Sequence, residues 1–223
     1  MGTVTHVDTK QPLVALTFDD GPDSEFTPRL LEILEKFGAR ATFFMIGQSA
    51  SRHPEVVRQV AQSGGHAIGN HSWDHPSFPI IASRERRKQL QACKKATAPF
   101  GQRLFRPPYG DQSVSSRFDA LMLRYEVVMG NLDVEDWWVD DPNRMADQLI
   151  NGTRPGTIVL LHDAIFGSNN RKVPHQPLMD RRPMLAALEM FLERTRDRFR
   201  FVTLPELLQS GEPQRESWYV KGF

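Results

Sequence analysis

Only one cysteine, Cys93, occurs in the 223 residues, so an internal disulfide is excluded. It stands between Ala92 and Ala96 in a helical pattern, where packing suits it better than reactivity. No stretch approaches the roughly twenty apolar residues of a membrane span. Neither sign of charge is in excess: 28 Lys and Arg face 27 Asp and Glu, a net of +1. That balance gives no electrostatic reason to expect nucleic acid or a membrane as partner. No repeat or linker divides the chain, so a single monomeric domain over 1–223 is expected, with length enough for a sizeable core. Met1-Gly2-Thr3-Val4-Thr5-His6 is no signal peptide. A cytoplasmic protein fits that start, and so does a protein of the cell envelope whose leader was trimmed.

What is present is an alternation of short apolar runs with helical stripes. Leu13-Val14-Ala15-Leu16 reads as a buried strand, as do Ala41–Ile46 and His66–Gly69. Helices are expected from about Pro28 to Phe37, from Pro54 to Gly64, and from Ser83 to Ala98. Two more follow Asp141-Pro142 and cover Met184 to Leu192. Thr27 suits the first N-cap and Pro28 the first helical position. Such alternation implies a parallel sheet, and polar residues at strand ends favour a barrel over an open sheet.

The most informative stretch is Thr17-Phe18-Asp19-Asp20-Gly21-Pro22, two carboxylates between a strand and a turn. Buried side by side, they resist ionising together unless a cation lies beside them. Alone, the stretch also reads as a solvated Asp-Gly turn. His71-Ser72-Trp73-Asp74-His75 sets two imidazoles four residues apart, which one helical turn would bring to one face. As a pair they read equally as core or surface histidines. With Asp20, however, His71 and His75 make three N and O ligands, the number a catalytic zinc-type centre uses. Arg106-Pro107-Pro108-Tyr109-Gly110, Asp133-Val134-Glu135-Asp136-Trp137 and Leu160-Leu161-His162-Asp163 each follow at a predicted strand end.

In this order the five segments resemble the polysaccharide deacetylases, the carbohydrate esterases with a NodB homology domain, over about 12–208. The resemblance implies a distorted (β/α) barrel, TIM-like with fewer than eight regular units. It implies metal-dependent removal of acetyl groups from N-acetylated sugars of chitin or peptidoglycan type. Asp19 would be the catalytic base, and Asp20, His71 and His75 would hold one divalent ion, zinc or else cobalt or nickel. Arg106 would hold Asp19, and the Tyr109 N–H would face the developing oxyanion. Asp136 would orient the general acid His162, while Trp137 and Leu160 would wall the acetyl pocket. Those roles suit the chemistry: an activated water must lose a proton to a carboxylate that is not a ligand, and the leaving amine must gain one.

Two other readings compete. An O-acetyl esterase on acetylxylan would use the same centre, and a silent carbohydrate-binding barrel would keep the fold without Asp19 or His162. Arg84, Arg86, Arg87, Lys88, Lys94 and Lys95 crowd one helix, a run that reads as a solvated face or a contact for an anionic polymer. The polar loop 164–182 lies beside His162 and reads as a substrate-binding lid or as plain surface. His175 within it is not expected to be a ligand.

Overall fold

The computed structural model describes residues 2–167 and 178–217. In chain order the strands and helices run β1 (Thr3–Asp8), β2 (Leu13–Asp19), α1 (Phe26–Lys36), β3 (Ala41–Met45), α2 (Gly47–Arg52) and α3 (Pro54–Gln62). They continue with β4 (Ala67–Asn70), α4 (Ser83–Ala96), β5 (Gly101–Phe105), α5 (Val114–Met122), β6 (Glu126–Val127) and β7 (Leu132–Asp133). The last are α6 (Pro142–Gly152), β8 (Ile158–His162), α7 (Arg182–Thr195), β9 (Arg200–Phe201), α8 (Leu204–Gln209) and β10 (Glu212–Glu216).

The main sheet is parallel and ordered β6-β5-β4-β3-β2-β8-β7, with β9 also pairing β2. It curls into a half-barrel, as the resemblance implied. All seven residues of β2 are buried, as expected for a parallel strand covered on both faces. Leu16, Phe18, Phe43 and Leu161 meet Leu30, Leu34, Leu188 and Phe191 in the largest apolar core. The helix stripes legible in the sequence therefore face the sheet. A separate antiparallel pair, β1 with β10, joins the two ends of the chain.

Register decides where the chemistry falls. Asp19 stands opposite His162 across the β2–β8 pair, and Asp133 opposite Leu160 across β7–β8. Strand tips that are distant in sequence thus open on one end of the sheet.

Three local expectations are settled by detail. α1 begins at Phe26, and Asp23 Oδ1 accepts from the N–H groups of Glu25 and Phe26 at 2.7 and 2.8 Å. Thr27 therefore is not the cap; it lies in the first turn and its hydroxyl donates to Asp163. Asp141 does cap α6, accepting from Asn143 and Arg144. Cys93 is buried, and burial pushes its thiol up to about 12, so it packs and does not react.

Gly156 leads into β8 from a tight corner. Its φ is +83°, and a Cβ there would come within 1.7 Å of the Val7 carbonyl oxygen. Only glycine fits such a place. Gly156→Ala is expected to cost roughly 2 to 4 kcal/mol, a fall in Tm of about 5 to 15 °C. Thermal unfolding followed by circular dichroism checks this; an unchanged Tm would mean that the corner relaxes freely.

Candidate active site

β2 ends in Asp19, and Asp20 follows with φ of 74°, a left-handed conformation that Asp tolerates better than most residues. Gly21 is needed next, because a Cβ there would meet the Asp163 carboxylate at 2.3 Å. Both aspartates are buried, and each has its own set of partners.

Asp19 Oδ1 accepts from Arg106 Nη1 at 2.7 Å. The guanidinium is itself fixed, since Nη2 donates to Met129 O at 3.1 Å and the group stacks 4.3 Å from the Phe44 ring. Arg106 is only 1% exposed, so its charge needs the Asp19 carboxylate.

Asp20 instead faces the histidine pair. Its Oδ1 lies 3.4 Å from both His71 Nε2 and His75 Nε2, and those two nitrogens are 3.2 Å apart. The expected helical turn is absent. Residues 71–75 form a loop in which Ser72 and His75 have φ of 71° and 62°. That loop, in place of a helix face, folds the two rings onto each other, with centroids 4.9 Å apart.

The donor chemistry of this cluster fits a cation. His71 Nδ1 is 2.8 Å from the Arg106 carbonyl, which can only accept, so Nδ1 carries the proton and Nε2 presents its lone pair. Metal-ligating histidines are oriented in this way by a carbonyl behind the ring. Burial pulls His75 down to about 4, which leaves it neutral at pH 7. Asp20 is ionised: its carboxyl stays well below the usual range although burial opposes the charge. Asp20 Oδ1 is buried with no hydrogen-bond partner. The Nε2 lone pair of His71, the neutral ring of His75 and an unpartnered carboxylate oxygen converge within 4.8 Å, a donor set that suits a positive ion between them.

On the far side, His162 Nδ1 lies 2.8 Å from Asp136 Oδ1, and its backbone N–H donates to Asp136 Oδ2 at 2.9 Å. Burial favours the neutral imidazole, but the charge and hydrogen bond of Asp136 outweigh it and, with Asp20 and Asp19, raise His162 to about 10. Tyr109 has φ of 57°, and its ring packs edge-on against His75 at 4.3 Å. Trp137 follows Asp136 directly, and Leu160 lies buried on β8 two residues before His162.

Sequence reasoning missed Arg181. This buried side chain donates through Nη1 to the Asp136 carbonyl at 3.0 Å and approaches Asp136 Oδ2 at 3.4 Å, while Nη2 donates to Leu178 O. Leu178 N–H in turn donates to the Trp137 carbonyl at 2.9 Å. The end of the 164–182 loop is thereby bolted to the segment that carries Asp136. At its start, Phe166 N–H donates to Asp20 Oδ2 at 3.0 Å. His175 lies outside the described residues.

Comparison with known proteins points the same way. The sequence profile of the polysaccharide deacetylase family matches residues 6–128. A peptidoglycan-N-acetylglucosamine deacetylase of Bacillus cereus is 34% identical over 93% of this chain and 94% of its own length. A chitooligosaccharide deacetylase of Azorhizobium caulinodans is 35% identical over 73% of this chain and 79% of its own. The crystal structure of a peptidoglycan N-acetylglucosamine deacetylase, in complex with 4-naphthalen-1-yl-N-oxidanyl-benzamide, superposes with a TM-score of 0.83. The identity there is 28%, over 96% of this chain and 95% of that one.

Proposed function

This chain belongs to the polysaccharide deacetylase family, and we propose that it hydrolyses the acetamido group of N-acetylated sugars in peptidoglycan-type or chitin-type chains. The products are acetate and the free amine. One observation carries the reading. Asp19, held by Arg106 and outside the Asp20–His71–His75 cluster, stands in register with His162 on the neighbouring strand. A base and an acid thus flank a site built for a cation.

Asp20, His71 and His75 would hold one divalent ion, for which zinc suits the ligand set and cobalt or nickel are alternatives. When bound, such an ion polarises the acetyl carbonyl and acidifies water. Asp19 takes the proton from the attacking water as its oxygen bonds to the carbonyl carbon. Arg106 holds and aims that carboxylate. The Tyr109 N–H donates to the oxygen on which negative charge develops. His162 then gives its proton to the departing nitrogen as the C–N bond breaks, with Asp136 holding the ring. Trp137 and Leu160 are assigned to the walls around the acetyl methyl.

The acid assignment sets a pH dependence. His162 must be protonated to act, so turnover falls as pH rises through its pKa. Asp136 is the main group raising that pKa. In Asp136→Asn the alkaline limb of the rate profile is therefore expected to move to lower pH by about one unit or more. His162→Ala is expected to harm N-acetyl sugars more than acetyl esters, whose leaving oxygen needs less help. An unmoved limb with equal losses on both substrates would return His162 to the core.

Acetate release from chitooligosaccharides, peptidoglycan and acetylxylan, measured side by side with the zinc-loaded protein, tests the substrate class. Release from the first or second above the third is expected. Release from acetylxylan alone would make the protein an O-acetyl esterase, and release from none would leave a silent carbohydrate-binding barrel.

A further inference from the structure

The overall charge of +1 conceals a concentrated one. Residues 83–124 hold ten Lys and Arg against three Asp and Glu, a net of +7 that leaves the rest of the chain at −6. Arg84, Lys88, Lys94, Lys95, Arg103 and Arg124 are exposed. The acids of this segment do little to offset them. Asp111 and Asp119 are buried, and Glu85 lies 3.4 Å from Lys88.

Arg86 and Arg87 grip Asp119 at 2.7 and 2.6 Å, and Ser83 donates to it as well, which fastens α4 to α5. The Ser83–Arg87 row of α4 therefore abuts α5, and Gln89 and Cys93 face inward. Arg84, Lys88 and Lys95 form the next, exposed row of α4, adjacent to the row that meets α5.

The open face of α5 is apolar. Val114 is 61% exposed, Phe118 50%, Leu121 49% and Met122 62%. Their spacing of four, three and one places them along one side of the helix. The other side, with Ser116, Arg117, Asp119 and Ala120, is buried. Ile80, 75% exposed on the short 3₁₀ turn that packs against α5, extends the patch. Scattered exposed apolar residues are ordinary, but a continuous stripe with a polar rim marks a contact surface.

We propose that the α4–α5 face docks the protein on an anionic phospholipid surface, with the α5 stripe entering the headgroup boundary and the α4 cations meeting lipid phosphates. Clustered Lys and Arg are drawn to an anionic leaflet. Apolar side chains gain only where there is an apolar phase to enter. A soluble polyanion leaves the stripe in water. A second copy of the same face sets its cations against their own kind. A bilayer satisfies both halves of the surface. The inference stands apart from the deacetylase reading, because no residue of the catalytic site takes part.

Co-sedimentation with vesicles of phosphatidylglycerol and phosphatidylcholine in equal parts, against phosphatidylcholine alone, reads the proposal. Binding to the anionic vesicles is expected, weakening as salt rises, and at least about tenfold weaker to the neutral ones. Replacing Arg84, Lys88 and Lys95 together by Gln should weaken it about a hundredfold. Replacing Phe118, Leu121 and Met122 together by Gln should weaken it about tenfold or more, with Tm preserved. Should that variant unfold, Phe118→Cys serves instead, since the buried Cys93 leaves position 118 to be labelled alone. A polarity-sensitive dye there should shift to the blue with anionic vesicles. Absent binding, an unshifted dye, or an apolar-face variant that binds like wild type would overturn the proposal. So would a wild-type dimer that the apolar-face variant splits into monomers.

Discussion

Asp19→Asn is expected to lower turnover roughly 10²- to 10⁴-fold while the protein still takes up its ion. The substitution keeps the shape of the side chain and removes the proton acceptor. Asp19 Oδ1 belongs to Arg106 at 2.7 Å, and its Oδ2 is 3.8 Å from His71 Nε2, whereas Asp20 Oδ1 is closer, at 3.4 Å, to both histidines. The φ of 74° at Asp20 thus sets the proposed base and the proposed ligand on different partners. Steady-state rates on an N-acetylated oligosaccharide, with metal content measured on the same preparation, check this. A variant of near wild-type speed would exchange the two roles, and one that is slow because it is empty of metal would make Asp19 a ligand.

The second large effect concerns the ion. His71→Ala is expected to weaken zinc binding by more than about 100-fold and to abolish turnover, as chelation does for the wild type. The reason lies behind the ring as well as in front of it. The Arg106 carbonyl fixes the Nδ1 proton, which leaves Nε2 turned toward Asp20 and His75. Metal analysis after dialysis, with zinc added back to the chelated wild type, provides the measurement. Full occupancy in His71→Ala, or turnover that survives chelation, would dissolve the assigned centre.

Much of this was legible in the chain because the signals are local. Leu13–Leu16 is a continuous apolar run, Asp141-Pro142 is a cap followed by a first helical turn, and polar clusters stand at strand ends. What escaped depends on backbone geometry or on distant contacts. His71 and His75 carry a helical spacing, yet positive φ at Ser72 and His75 makes a loop that no periodicity announces. Thr27 is not the cap of α1 because the helix already begins at Phe26, and its hydroxyl donates to Asp163, 136 residues away. β6 and β7 have two residues each, too few to show alternation. Arg181 sits in a polar, Pro-containing stretch that looks like surface, and only the fold reveals that it is buried against Asp136. The net charge of +1 likewise averaged away the +7 of residues 83–124.

The central claim is that Asp20, His71 and His75 hold one ion while Asp19 stays free beside it. Anomalous diffraction from crystals grown with zinc, recorded on both sides of the zinc absorption edge, tests it most directly. The account predicts one strong peak about 2.0 to 2.2 Å from an Asp20 oxygen and from Nε2 of His71 and of His75, with Asp19 still on Arg106. A peak ligated by Asp19, or no peak between the two histidines, would contradict it.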